Sequence, residues 1–300
     1  MLTERLLAVL FDGLIFGAWL FLVSAGLTFV YGVLRVLNVA HGSFYALGAY
    51  LAATLVGLVV GRGLSPALTY PALVLAALLV GLTVGPAMER LLLRRLAGRD
   101  EVTGLLLTFA VLLIFEDVIK LIWGVTPWAA DAPYGALGQL KLGAVTYAVY
   151  PLALIGVAAL MGVLLWFLTG QTAFGKLVSA VIADREVSAA LGVDVGRVSN
   201  LAFSLGTFLA ALGGALVAPM ISVVPGISVE VIVIAFAVTV IGGLGNVAGA
   251  ALGALVVGLV RTSALYFFPE LDLFLVYALM TLVLIFRPYG LFGRAEIRRI

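Results

Sequence analysis

The chain has 300 residues, of which 64% are hydrophobic and 11% charged, and its mean hydropathy is +1.26. A soluble domain carries about 45–50% apolar and about 25% charged residues, so this composition cannot cover a water-facing surface; it excludes an ordinary soluble enzyme, a disordered regulator and a secreted disulfide scaffold. A net charge of +2, no cysteine and a single histidine leave no nucleic-acid footprint, no thiolate site and no multi-histidine metal site.

What remains is an all-α, polytopic transmembrane helical bundle. A span needs about 20 apolar residues, and the apolar runs leave room for roughly eight to ten spans in one permease-sized domain over residues 1–300. The runs fall at 6–33, 43–60, 67–88, 102–123, 149–168, 198–221, 229–241, 247–260 and 273–286. All read as helices, because an open sheet edge cannot sit in lipid. The first run is too long for a signal-peptide core, so the N-terminal stretch is expected to stay in the mature protein. The connection 124–148 carries Trp128, Pro127, Pro133, Tyr134 and Tyr147 and reads as an aromatic-anchored external loop. The runs at 229–241 and 247–260 are short for full spans, and Gly242, Gly243 and Gly245 lie between them; that is the pattern of broken helices.

Basic residues orient the chain. Arg90, Arg94, Arg95 and Arg99, then Lys176, Arg185 and Arg197, then Arg287, Arg294, Arg298 and Arg299 make 11 of the 17 Lys/Arg residues. These three regions are expected on the cytoplasmic side, which gives nine crossings with the N-terminus outside.

Two nucleotide-like motifs fail. The run 170–177, GQTAFGKL, lacks the Ser/Thr that a P-loop needs after its lysine and follows a membrane span instead of a strand. The run 243–248, GLGNVA, has no acidic residue about 20 positions on and no βαβ repeat around it. Gly245, Gly249 and Gly253 recur every fourth residue instead, as do Gly81 and Gly85, so each set is expected on one helix face where another backbone approaches closely. No catalytic set is assembled. The acidic residues in or near spans are Asp12, Glu116, Asp117 and Glu230, and Glu116 stands four before Lys120, the spacing of a helical ion pair.

Two segments stand out. Residues 31–45 place Arg35, Asn38, His41 and Tyr45 between two apolar helices, with Gly32 and Gly42 free to bend. Polar groups at membrane depth line a pathway; the alternative is an interfacial loop whose Asn and His cap helices. Residues 175–194 read as a cytoplasmic amphipathic helix over about 176–191, with Val178, Val181, Ile182 and Ala189 on its apolar face and Gly192 ending it.

Four blocks carry a resemblance: GLTFVYGVLRVLNVAHGSFYALGAY (26–50), GKLVSAVIADREVSAALGVDVGRV (175–198), AFAVTVIGGLGNVAGAALGALVVGLV (235–260) and LIFRPYGLFGR (284–294). In their order the chain resembles the LivH-type permeases of the bacterial branched-chain amino-acid ABC importers. The resemblance implies a permease, not an enzyme, in the inner membrane of a bacterium and in contact with membrane lipid. It implies a second homologous (LivM-like) permease subunit, two cytoplasmic ATPase subunits and an external solute-binding protein, with no nucleic-acid partner. No cofactor is implied in this chain; ATP and Mg²⁺ would belong to the ATPases. It assigns ATPase contact to Asp184, Arg185, Glu186, Ala189 and Gly192. It assigns the substrate pathway to Asn38, His41, Gly42 and Tyr45, with Gly243 and Gly245 as a bend near it. Close relatives of the family serve urea or short amides, and an ion-coupled secondary transporter using the four carboxylates is the rival class.

Overall fold

All nine apolar runs fold as helices in the structure, a computed structural model that describes residues 2–96, 99–142 and 145–293. In chain order, α1 is Leu2–Leu34 and α2 is His41–Gly61; α3 (Thr69–Leu79) passes through a π turn (Val80–Val84) into α4 (Gly85–Leu91), and α5 is Glu101–Trp123. A short α6 (Ala132–Ala136) and the strands β1 (Gln139–Leu142) and β2 (Val145–Ala148) precede α7 (Val149–Gln171), α8 (Ala173–Ala183) and α9 (Arg185–Ala190). The chain ends with α10 (Val195–Val217), α11 (Ile227–Gly242), α12 (Val247–Phe267) and α13 (Asp272–Phe286). Seven helices are long and apolar enough to cross a membrane by length and composition. Of the other two apolar runs, α5 carries Glu116, Asp117 and Lys120 near its end, and α11 has only 16 residues.

Local chemistry sets the boundaries. Asp100 caps α5 by accepting from the Thr103 amide, and Gly124 ends that helix at φ +79°. The hydrogen bonds from Thr103 also hold the exposed Asp100 carboxyl below its ordinary value. The π turn lies just ahead of Pro86, whose missing N–H breaks the helical ladder there. The 124–148 connection is more ordered than a plain anchor loop. It holds α6 and an antiparallel hairpin with Gln139 opposite Ala148, and Trp128 pairs with Val223 across a backbone bridge.

Small residues let the helices meet. Lipid supplies no hydrophobic force between helices, so close backbone approach replaces it. A side chain at Gly48 would overlap the Ala211 carbonyl, and one at Gly214 the Tyr45 carbonyl, which locks α2 to α10. Gly81 and Gly85 face Phe208 and Ser204 of α10, the close approach their spacing predicts. Gly13 and Gly17 lie against Leu259 and Ala254, so α1 and α12 run antiparallel. Gly249 and Gly253 press on Gly242 and Val238 of α11. Gly245 does not share their face: Asn246 is the N-cap of α12, so Gly245 lies outside the helix, at φ +80° against Gly32.

The basic clusters gather at one end. Arg94 donates to the Gly196 carbonyl at 2.9 Å. Phe29 and Val33 of α1 share a buried cluster with Val178, Val181, Val195 and Val198, and Gly290 and Gly293 pack at Gly243 and Tyr289 beside the α11–α12 corner. Arg294, Arg298 and Arg299 lie outside the described residues. By the positive-inside rule this end is cytoplasmic, and α1 starts at the opposite, outer end.

Two helices begin inside the bundle. After Leu34, residues 36–39 climb back along α5: Val36 touches Gly104, and the Thr108 hydroxyl donates to Leu37 O (3.1 Å) and accepts from Val39 N (3.2 Å). Arg35 takes a positive φ of 56° to start this reversal. The ring of His41, first residue of α2, then meets Val23 O at 3.0 Å. Val23 is eleven residues from the inner end of α1, or about 16 Å at 1.5 Å per residue. Likewise α11 starts at depth, where Gly226 N and Ser228 Oγ both donate to Glu116 of α5.

Candidate functional site

The residues expected along a pathway do not come together as one group. Asn38 and His41 are fully buried. His41 Nε2 bonds the Val23 carbonyl, while its Nδ1 and both amide atoms of Asn38 have no hydrogen-bond partner among the described residues. Gly42 lies against the Ser228 carbonyl, so it is the point where the starts of α2 and α11 meet, and a Cβ there would overlap. Tyr45 alone of this group lines a cavity. Gly243 and Gly245 do form a bend, at φ +104° and +80°. That bend docks on α1 at Thr28, whose hydroxyl accepts from Gly245 N at 3.0 Å, whereas His41 docks at Gly26. Residues two apart on a helix face opposite ways, so α1 stands between the two features.

His41 is thus a brace at this depth. Replacing it with Ala would leave a void and an unpaired Val23 carbonyl, a cost of about 3 kcal/mol. The expected result for His41→Ala is a lower apparent unfolding temperature of the detergent-solubilised protein. An unchanged transition would remove the bracing role.

The cavity that takes in Tyr45 has a volume of about 720 Å³ and lies in the outer half, between α1, α2, α11, α12 and the β2–α7 corner. Asp12, Glu230 and Arg261 bring charge to it. Asp12 accepts from the Tyr266 hydroxyl at 2.6 Å, and Arg261 Nε donates to Asp272 at 3.3 Å while its guanidinium lies 4.5 Å from the centre of the Phe16 ring. Arg261 escaped the sequence reading because the apolar run was closed at residue 260. Helix α12 continues to Phe267, so an arginine one turn and a half from the end of a spanning helix was the signal available.

The expected ion pair of Glu116 with Lys120 is not made. Lys120 pairs with Asp117 at 3.3 Å, because Glu116 turns inward, 7% exposed, to hold the start of α11.

At the cytoplasmic end, the single helix expected over 176–191 is two helices with a corner at Asp184. Asp184 is extended (φ −157°, ψ 110°), and its carboxylate accepts from Glu186 N and Val187 N at 3.0 and 2.9 Å. An aspartate that caps satisfies two amides a continuous helix would have used for its ladder. Gly192, at φ +86°, closes α9 as expected. The P-loop-like run is the α7–α8 corner, where the Thr172 hydroxyl caps α8 through Gly175 N at 3.2 Å. Beside the Asp184 corner lies a cleft of about 390 Å³ lined by Arg35, Glu89, Arg94, Asp184 and Arg185.

A bundle of spanning helices, two of them begun at membrane depth, defines a multi-pass membrane protein with the architecture of a transport permease. The family model described as the branched-chain amino acid transport system permease component matches residues 9–284, and the chain belongs to that family. The high-affinity branched-chain amino acid transport system permease protein BraD of Pseudomonas aeruginosa is 27% identical, over 97% of this chain and 97% of its own. The corresponding LivH protein of Salmonella typhimurium is 26% identical, over 97% and 96%. A probable branched-chain amino acid transport permease protein LivH of Methanocaldococcus jannaschii is 27% identical, over 95% and 92%. The solved structure PsaBC from Streptococcus pneumoniae in complex with Fab overlaps at TM-score 0.47 and 14% identity, covering 97% of this chain and 98% of that one.

Proposed function

We propose that this chain is a permease subunit of an ATP-driven ABC importer in the bacterial inner membrane, moving leucine, isoleucine and valine or a closely related small solute. The substrate class follows the names of the relatives. The observation that carries the coupling part of the reading is α9. Its partner α8 is rooted in the bundle through Val178 and Val181, which pack on Phe29 and Val33 of α1 and on Val195 and Val198 of α10. Past the Asp184 corner, Val187 is 53% and Leu191 80% exposed at the cytoplasmic end. A stiff, capped helix with an uncovered apolar edge, tied to two central spans, suits a docking element.

In this reading two cytoplasmic ATPase subunits, which hold ATP and Mg²⁺, contact Asp184, Arg185, Glu186, Ala189 and Gly192. A second, LivM-like permease completes the path, and an external binding protein delivers the solute. Closure of the ATPases on ATP pushes on α9. The push passes through α8 into the inner ends of α1 and α10, and from Leu34 into the reversal that carries Asn38, His41, Gly42 and Tyr45. Gly243 and Gly245 allow the α11–α12 corner to follow.

Glu186 projects from the first turn of α9, with its amide held by Asp184. Glu186→Lys is expected to leave the bundle folded, to reduce ATPase recovery in co-purification several-fold and to lower ATP-dependent leucine uptake in step. Asp184→Ala removes the cap, worth about 1 kcal/mol, and is expected to weaken attachment through the fraying of α9. Full co-purification and uptake in both variants would sink the coupling assignment.

A further inference from the structure

Charge, shape and register make the outer cavity more than a gap between helices. Gly249 faces Gly242 and Gly253 faces Val238, so α11 and α12 are antiparallel with paired residue numbers falling by four as the partner rises by four. Eight residues further along each helix, that register sets Arg261 level with Glu230. Both line the same cavity. Ionisable groups inside a membrane bundle are expensive unless paired or functional, and these two are only partly satisfied. Glu230, exposed to the cavity in the first turn of α11, has no hydrogen-bond or ion-pair partner among the described residues. Arg261 is held at Nε by Asp272 and on its flat face by Phe16. Neither Nη group has a described partner, so the two-pronged end of the guanidinium is fixed in direction and left open. That fork matches a carboxylate.

We propose that this cavity is an amino-acid binding site enclosed within a single chain, in which Arg261 takes the carboxylate, Glu230 the ammonium group, and the apolar wall the side chain.

The wall is built for that division. Phe16 stacks edge-on with Trp19 at 5.1 Å between ring centres, and Trp19 continues to Tyr45 at 5.9 Å. Arg261, Phe16, Trp19 and Tyr45 therefore form one continuous line along the cavity. Ile227 and Val231, on either side of Glu230 in α11, add branched aliphatic surface. The volume of about 720 Å³ falls within the usual range of small-ligand pockets, about 300–1,000 Å³. An amino acid needs both charges met, and loss of one partner leaves a buried charge unpaired, so discrimination by each end is expected to be steep. This inference rests on the importer reading for its substrate class.

The test uses the full chain with the subunits that purify with it, without the external binding protein, and three probes of one shape. These are leucine, leucinamide (no carboxylate) and 4-methylpentanoate (no ammonium group), each titrated by calorimetry or by ligand-dependent thermal shift. The wild type is expected to bind leucine at least tenfold more tightly than either analogue. Arg261→Gln and Arg261→Lys should bind leucine and leucinamide alike while still preferring leucine to 4-methylpentanoate. Glu230→Gln, nearly isosteric and cavity-exposed, should show the reverse pattern. Wild-type selectivity retained by the Glu230 or Arg261 variants, or equal binding of all three probes by the wild type, overturns the site. A failing importer reading shows elsewhere: proteoliposomes of the wild-type complex with ATP and binding protein then take up no leucine, even where the selective binding persists.

Discussion

Gly214→Ala is expected to destabilise the protein more than a methyl group placed on any of its lipid-facing helices. The added Cβ would fall on the Tyr45 carbonyl and next to the Ala49 amide. Both belong to the α2 backbone, which cannot rotate aside as a side chain would. Gly48→Ala meets the matching obstacle from the other direction, at the Ala211 backbone. Overpacking a tight core costs about 1–3 kcal/mol, and a clash with backbone belongs at the upper end. The two substitutions act on one contact between α2 and α10, so the double variant should cost less than the sum of the singles. Gly57 is the control. It lies on the same helix, and nothing stands within 4 Å of a Cβ there. Gly57→Ala is expected to hold or raise stability, by up to about 1 kcal/mol from helix propensity. Thermal unfolding in detergent, followed by loss of the monodisperse peak, measures all three. A Gly214→Ala protein as stable as the Gly57→Ala protein would mean that the close α2–α10 approach does not hold the bundle.

Such contacts explain what could be read in advance. The nine helices were legible because apolar length is a local property, and a chain in lipid has few ways to satisfy its backbone. Gly81 and Gly85 were legible as a packing pair because four-residue spacing fixes a shared face. Gly245 was misplaced on that rule, since spacing does not say where a helix starts; Asn246, a good N-cap, did. The corner at Asp184 was hidden for a related reason. Ala-rich sequence on both sides favours a continuous helix, and the break depends on one carboxylate choosing two backbone amides. The cavity was the least legible feature. Asp12, Arg261 and Glu230 come from three helices far apart in sequence, and only the antiparallel pairings of α12 with α1 and α11 bring them to one level. Glu116 had a local suitor in Lys120 and took a distant one, 110 and 112 residues away.

That distant partner makes Glu116→Ala the second substitution with a large expected effect. Glu116 is nearly buried, and its two oxygens accept from Gly226 N (3.0 Å) and from the Ser228 hydroxyl. Hydrogen bonds to a charged group contribute about 1.5–3 kcal/mol each. A carboxylate at the start of α11 also meets the positive end of the helix dipole. Truncation strands the amide and the hydroxyl at membrane depth, so a total loss of about 3–5 kcal/mol is expected. The consequence is local before it is global. Ser228 backs onto Gly42, and Ile227, Glu230 and Val231 of the same turns line the outer cavity. Releasing this turn unseats Glu230 and loosens the meeting point of α2 and α11 together. Glu116→Ala should therefore lose solute uptake at temperatures where the bundle and its α9 attachments remain intact. Amide exchange over residues 227–232 should rise while the amides of α10 stay protected. Glu116→Gln keeps an acceptor and the volume, so it should fall between. Ser228→Ala removes only the hydroxyl and should cost least. Unchanged exchange at the start of α11 in Glu116→Ala would show that the turn is held by packing alone.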